Sequence, residues 1–235
     1  MNTTYYLLLF TLLTVGIITS ACVPRVAPTI EHTTEIETVK TEQTIRDDEA
    51  TIAPRESDET AYITPTQQEG PYYPLDIPAD HDNDLVNFAG ATKIPNGEVL
   101  VLNGVVFDAS DIPVEGAVIE IWQTDNNGVY LHPDDPATDQ CDRNFQFYGE
   151  AITGVDGVYS FRTLMPGYYE PRPRHIHVKV KREGEELLTT QFYFAEDVSF
   201  RDDRIHLVID LAPAEDDDGN PIWIGQRDIV LNIDR

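Results

Sequence analysis

From Tyr62 onward the chain runs in short apolar or alternating stretches broken by Gly, Pro, Asn and Asp, and no stretch sustains a helical period. Side chains that alternate with period two belong on strands, and strands of this kind must bury at least one face. Residues 99–107, 117–123, 157–163, 175–181, 187–194, 204–211 and 228–233 form seven such runs, enriched in β-branched and aromatic residues. They predict an all-β fold, an antiparallel β-sandwich of about seven or eight strands with long connecting loops. Val155-Asp156-Gly157 and Glu183-Gly184 read as hairpin-like turns, and Pro113 and Pro166 close off runs.

The first part of the chain has another character. Residues 5–18 are apolar but too short to span a bilayer comfortably, and they lead into Thr19-Ser20-Ala21-Cys22. Residues 1–21 therefore read as a signal peptide. Small residues before a cysteine resemble the lipobox of bacterial lipoproteins, which implies cleavage before Cys22 and a lipid anchor on its thiol. The expected location is the cell envelope, on the outer side of a bacterial cell membrane. Residues 1–4 lack Lys and Arg and Thr19 stands where a lipobox has an aliphatic residue, so an ordinary cleaved signal or an uncleaved apolar anchor stays open. Residues 22–61 are rich in Thr and Glu and hold no aromatic residue. Such a composition buries too little apolar surface to offset its ordering entropy, so a solvated tether is expected ahead of a domain spanning 62–235.

Charge and cysteine usage exclude several partners. With 42 acidic against 16 basic residues the formal net charge is -26, which disfavours nucleic acid. Cys22 and Cys141 lie far apart and match neither zinc-ligand spacing nor a disulfide framework. Cys141 sits in Asp139-Gln140-Cys141-Asp142, where acidic neighbours should raise its pKa and dull its reactivity.

The chemistry concentrates between Pro166 and Val180. On a strand His175 and His177 share one face while Ile176 takes the other, so the two imidazoles can share a metal. A His-x-His pair alone is equally at home as a solvated or hydrogen-bonded feature of a strand. Its company matters more. Tyr168 and Tyr169 precede it, Arg172 lies three residues before His175, and Tyr130 follows Ile121-Trp122-Gln123-Thr124-Asp125-Asn126-Asn127-Gly128-Val129. A trivalent ion can deprotonate a phenol that would otherwise titrate near ~10, giving a hard anionic ligand. Two phenolates and two neutral imidazoles leave Fe(III) one net positive charge, which a hydroxide would neutralise. Zinc favours Cys, His and carboxylate over Tyr.

These residues resemble the intradiol ring-cleavage dioxygenases, the family of catechol 1,2-dioxygenase and protocatechuate 3,4-dioxygenase. The likeness runs from about Thr64 to Ile233 through Gln68-Glu69-Gly70-Pro71-Tyr72-Tyr73-Pro74, Glu120-Ile121-Trp122-Gln123, Gly157 to Thr163, Arg172 to His177, and Thr190-Gln191-Phe192-Tyr193-Phe194. The resemblance implies a non-haem ferric site ligated by Tyr130, Tyr169, His175 and His177, with Tyr169 the displaceable ligand. It implies that Arg172 and Gln191 steady charge developing on the substrate, and that Tyr72 and Trp122 border the pocket. The expected reaction cleaves a catechol-type ring between its two hydroxylated carbons with dioxygen, giving a cis,cis-muconate. Only five residues separate Tyr169 from His175, a short loop like that of secreted single-chain members and shorter than that of the heteromeric protocatechuate enzymes.

Other readings of single residues stay in view. Trp122 reads equally as a core anchor, and Arg172 as the partner of a carboxylate. His132 and His206 match no ligand position. The whole domain also reads as a tethered carbohydrate-binding or transthyretin-like sandwich without catalysis. Substrate substituents and the oligomeric state, including a homo-oligomer, are not encoded in any motif.

Overall fold

The computed structural model describes residues 62–199 and 201–233, so the signal peptide, Cys22 and the tether expected over 22–61 lie outside the described residues. Among the described residues nine strands make two sheets. They are β1 (Val99–Phe107), β2 (Val118–Trp122), β3 (Tyr148–Ile152), β4 (Val158–Leu164), β5 (His175–Arg182), β6 (Glu185–Tyr193), β7 (Asp210–Glu215), β8 (Pro221–Gln226) and β9 (Ile229–Val230). One sheet has the order β4-β1-β8-β7, with β9 also on β1, and the other has the order β3-β2-β5-β6. The inner faces meet in a core that includes Leu100, Leu102, Phe161, Ile119, Ile121, Ile176, Val178 and Phe192, all fully buried. This is the expected β-sandwich.

Three details depart from the sequence reading. β1 pairs with β8 and with β9 in parallel, while its partner β4 is antiparallel. The β7–β8 hairpin returns to the edge of β1 with that orientation. Residues 204–211 do not form one strand. Asp202 accepts the Arg204 N–H and starts a 3-10 helix over Asp203–Leu207, and only β7 beyond it is extended. A side-chain cap offers the backbone an alternative to a ladder, and here it prevails. The turn at Asp156-Gly157 joins β3 to β4, which lie in different sheets, so it is a crossover rather than a hairpin. Glu183-Gly184 is the hairpin expected. Both residues have positive φ, 54° and 85°, as a two-residue turn between right-twisted strands requires.

β3 and β8 carry weak strand signals. β3 reads Tyr-Gly-Glu-Ala-Ile, and β8 opens on Pro221 and contains Gly225. Pro213 of β7 is tolerated because β7 is an edge strand.

One asymmetry creates the site. β5 alternates polar and apolar residues yet is buried on both faces from His175 to Val180. Ile176, Val178 and Val180 face the sandwich core, while His175, His177 and Lys179 lie under a second cover. That cover includes the segment before β1, anchored by Thr64 N–H on the Val230 carbonyl and Gln67 N–H on the Thr189 carbonyl, each at 2.9 Å. Lys179 fastens it further through Glu69 at 2.5 Å, and is itself paired with Glu186 of β6 at 3.0 Å.

Candidate metal centre

His175 and His177 stand at the start of β5, where the ladder pairs them with Tyr193 and Gln191 of β6. The Nδ1–H of His175 donates to the Pro173 carbonyl at 2.7 Å, which leaves Nε2 with its lone pair turned to the cluster. Trp122 lies flat on His177, ring centres 4.7 Å apart and 7° between planes, because the β2–β5 register places the two residues opposite each other. Gly70 passes so close that a Cβ would sit 3.3 Å from His177 Cε1.

Tyr130 arrives from the loop after β2. Its main-chain N–H donates to Asp135 Oδ2 at 2.8 Å, and its ring is buried. Tyr130 Oη stands 3.1 Å from His177 Nε2 and 3.4 Å from His175 Nε2, and the two imidazole nitrogens are 3.1 Å apart. Donors about 2.0–2.1 Å from a metal and near right angles to one another lie roughly 3 Å apart. The triangle has that size, and its chemistry, one phenol oxygen and two imidazole nitrogens, suits ferric iron. Among the described residues no group of three His, Cys, Asp or Glu gathers as a metal set.

Burial sets the protonation states. It holds the His175 imidazolium down to about 4 and the His177 imidazolium well below its ordinary value, so both rings are neutral at pH 7, the form that ligates metals. It pushes the Tyr130 phenol far above its ordinary value, with Arg172 pulling the other way. A buried phenol next to two neutral imidazoles becomes a phenolate only when a cation compensates it.

Tyr169, the fourth expected ligand, stands beside the triangle. Its hydroxyl is 2.9 Å from the Tyr72 hydroxyl, and its ring is edge-on to Tyr130 at 5.8 Å. That hydrogen bond, followed by burial, raises the Tyr72 phenol strongly. Tyr72 also packs on Tyr130 at 4.6 Å, so Tyr72, Trp122, Tyr130 and Tyr148 form an aromatic cluster separate from the main core, with Tyr73 and Tyr169 at its margin. Trp122 thus belongs to the site's wall, not to the sandwich core. Arg172 takes an amide partner: its Nη2 donates to Gln191 Oε1 at 2.8 Å, which also receives the Tyr193 hydroxyl at 2.7 Å. Gln191 Nε2 donates to the Gln68 carbonyl at 2.6 Å, tying the cover to the pocket floor.

Several participants had no sequence signal pointing to this chemistry. His132 is buried with its ring edge-on to Tyr72 at 5.5 Å, so it stands against the site, whereas His206 packs on Tyr62 elsewhere. Asp135 and Tyr193 hold Tyr130 and Gln191; Asp135 lies in no quoted motif, and the one containing Tyr193 implies a role only for Gln191. Gly70, one residue of a longer motif in the sequence, has a positive φ of 76° and a close approach to His177 that account for a glycine there. Cys141 is buried, and its thiol is raised in the expected direction but by burial, aided by Asp125, rather than by the acidic neighbours in its own loop.

A family model described as Dioxygenase matches residues 68–217. The chain is also 34% identical over 160 residues to catechol 1,2-dioxygenase of Acinetobacter baylyi, and 34% identical over 139 residues to the protocatechuate 3,4-dioxygenase beta chain of Burkholderia cepacia. It belongs to the intradiol ring-cleavage dioxygenase family. The matches cover 60% and 55% of this chain, and 49% and 59% of those relatives, so the chain spans about half the length of the curated dioxygenases it matches. Among solved structures, the dioxygenase domain of a dioxygenase carbohydrate-binding protein fusion from the cellulolytic bacterium Streptomyces sp. SirexAA-E is 33% identical with a TM-score of 0.57. That likeness covers 74% of this intradiol-family chain and 100% of the Streptomyces domain. Catechol 1,2-dioxygenase from Acinetobacter sp. ADP1 is 28% identical with a TM-score of 0.57, covering 75% and 68% of the two chains.

Proposed function

We propose that this domain is a non-haem Fe(III) dioxygenase that opens the ring of a catechol-type substrate between its two hydroxylated carbons, with both atoms of dioxygen ending in a cis,cis-muconate. The observation that carries this is the convergence of Tyr130 Oη, His175 Nε2 and His177 Nε2 within 3.4 Å of one another, beside two further tyrosines. Tyr130, His175 and His177, with Tyr169, would hold the metal. Ferric iron held there would supply a Lewis acid that withdraws electron density from the bound catechol and activates its ring toward dioxygen.

The chain's own residues do the rest. A catechol that binds as its dianion must lose two protons; a solvent-derived hydroxide would take one and leave as water, and Tyr169 would accept the other. Once protonated, its hydroxyl is held by Tyr72, the partner it has in this structure. Arg172, fixed by Gln191, brings a cation toward the donors and stabilises negative charge developing on the ring. The rings of Trp122, Tyr72 and Tyr130 exclude water from that charge, which strengthens the interaction. Residues 1–61 support export, with Cys22 as the anchor and 22–61 as the tether.

The test uses the full chain grown with ample iron. About one iron per chain, a visible tyrosinate-to-iron absorption band that weakens in Tyr130→Phe, and dioxygen uptake with muconate formation from catechol, protocatechuate or hydroxyquinol are expected. Zinc in place of iron overturns the metal assignment. Yellow products of cleavage beside the diol overturn the intradiol reaction.

A further inference from the structure

The two tyrosines of the site stand on separate loops, Tyr130 after β2 and Tyr169 after β4, and β2 and β4 belong to different sheets. Sheet register therefore does not fix their separation. Asp125 links them. Its side chain is fully buried, and Oδ1 accepts the Asn127 N–H at 2.8 Å and the Val129 N–H at 3.2 Å, closing the turn that delivers Tyr130. Oδ2 accepts the Asp142 N–H at 2.8 Å and binds that turn to the segment before β3. The Asp125 main-chain carbonyl accepts Gly128 N–H at 3.1 Å and Gly167 N–H at 2.8 Å, the latter two residues before Tyr169.

The loops meet backbone to backbone at two glycines. A Cβ on Gly128, whose φ is +79°, would lie 1.9 Å from the Tyr168 carbonyl oxygen, and a Cβ on Gly167 would lie 2.3 Å from the Gly128 nitrogen. Either side chain would force the tyrosine loops apart. The charge of Asp125 is met by main-chain N–H groups from two segments, and burying a carboxylate is tolerable only with such partners. An asparagine has one acceptor oxygen and cannot serve both the Asn127–Val129 turn and the Asp142 segment, so the turn whose Asp125 carbonyl holds Gly167 loses an anchor.

We propose that Asp125 is a positioning residue of the iron site, setting the distance and orientation between Tyr130 and Tyr169 and through them the affinity for ferric iron. It touches neither metal nor substrate in this role. The proposal rests on the ferric reading above. Loss of a supporting partner behind a metal ligand typically costs 10–100-fold in metal affinity.

The experiment compares full-length wild type with Asp125→Asn, Gly167→Ala and Leu102→Ala, the last a core truncation in β1 chosen for a general loss of stability. Each is titrated with ferric iron, and the tyrosinate-to-iron band is recorded per bound iron, with circular dichroism reporting the folded fraction. In Asp125→Asn and Gly167→Ala the iron affinity falls about 10- to 100-fold and the band shifts or weakens. Leu102→Ala melts earlier yet keeps the wild-type band and affinity. The proposal is overturned by an unchanged band and affinity in Asp125→Asn, or by an equal loss in Leu102→Ala. If Asp125→Asn does not fold, Gly167→Ala decides, and a wild-type band there is equally fatal. Wild type that binds no iron and shows no band sinks the ferric reading itself, a result distinct from failure of the variants.

Discussion

Trp122 lies parallel to His177, 7° between planes and 4.7 Å between centres, and its indole Nε1 is buried with no hydrogen-bond partner among the described residues. The indole therefore serves this site through its flat face. Trp122→Ala should cost about 3–5 kcal/mol in urea unfolding and lower iron affinity, because His177 loses the surface that orients it. Trp122→Phe should retain most of both, since no hydrogen bond is lost. A phenylalanine variant as damaged as the alanine one would show that the indole N–H has a role.

Ile176 and its two neighbours separate packing from ligation. Ile176 faces the core and is fully buried, so Ile176→Ala should lower stability by about 2–5 kcal/mol while iron still binds at about one per chain. His177→Ala should do the converse, abolishing tight iron binding with a smaller change in the metal-free melting temperature. Metal analysis and calorimetry on both variants check the pair, and iron loss in Ile176→Ala would refute the division of faces.

Arg172 should matter to turnover more than to binding. In the proposed reaction its guanidinium acts on developing charge, so Arg172→Ala should lower kcat by about 10²–10³-fold with a small change in KM for catechol. Gln191→Ala should produce a milder version, because it frees Arg172 without removing the cation. A rise in KM at constant kcat would recast Arg172 as a binding group.

The metal-free protein should weaken on mild acidification. Burial lowers folded His175 from 6.5 to about 4, so as pH falls the unfolded chain takes up the proton first. The stabilisation from keeping this ring neutral is complete above pH 6.5 and is lost as pH drops toward 4, a loss of roughly 3 kcal/mol from His175. Burial lowers His177 in the same direction. Urea midpoints measured from pH 7.5 to 4.5 with a chelator present check this. His175→Asn should make the profile shallower while His177 keeps part of the slope, and an already flat wild-type profile would contradict it.

The strand that carries the histidines was legible because alternation is local. His175-Ile176-His177-Val178-Lys179-Val180 declares its two faces without reference to anything else, and β1, β2, β4 and β6 did so nearly as well. The spacing of tyrosines, histidines and Arg172 likewise made the site's composition and family resemblance readable. β3 and β8 were missed because they are short, interrupted by Gly or Pro, and held by neighbours more than by their own preference. The parallel placement of β8 on β1 depends on how a hairpin returns, which no local pattern encodes. Sequence order also could not bring Tyr72, Tyr130, Tyr169 and His132 to one place, or show Tyr169 paired with Tyr72 beside the donor triangle. Those positions follow from buried loops whose main-chain groups had to find partners, such as Asp125 for the loops of both tyrosines and Asp135 for Tyr130. The sequence by itself thus determined which faces are buried and which donors exist. The tertiary structure alone decided which donors meet, because their meeting depends on long-range backbone hydrogen bonds and close packing between loops that no residue specifies singly.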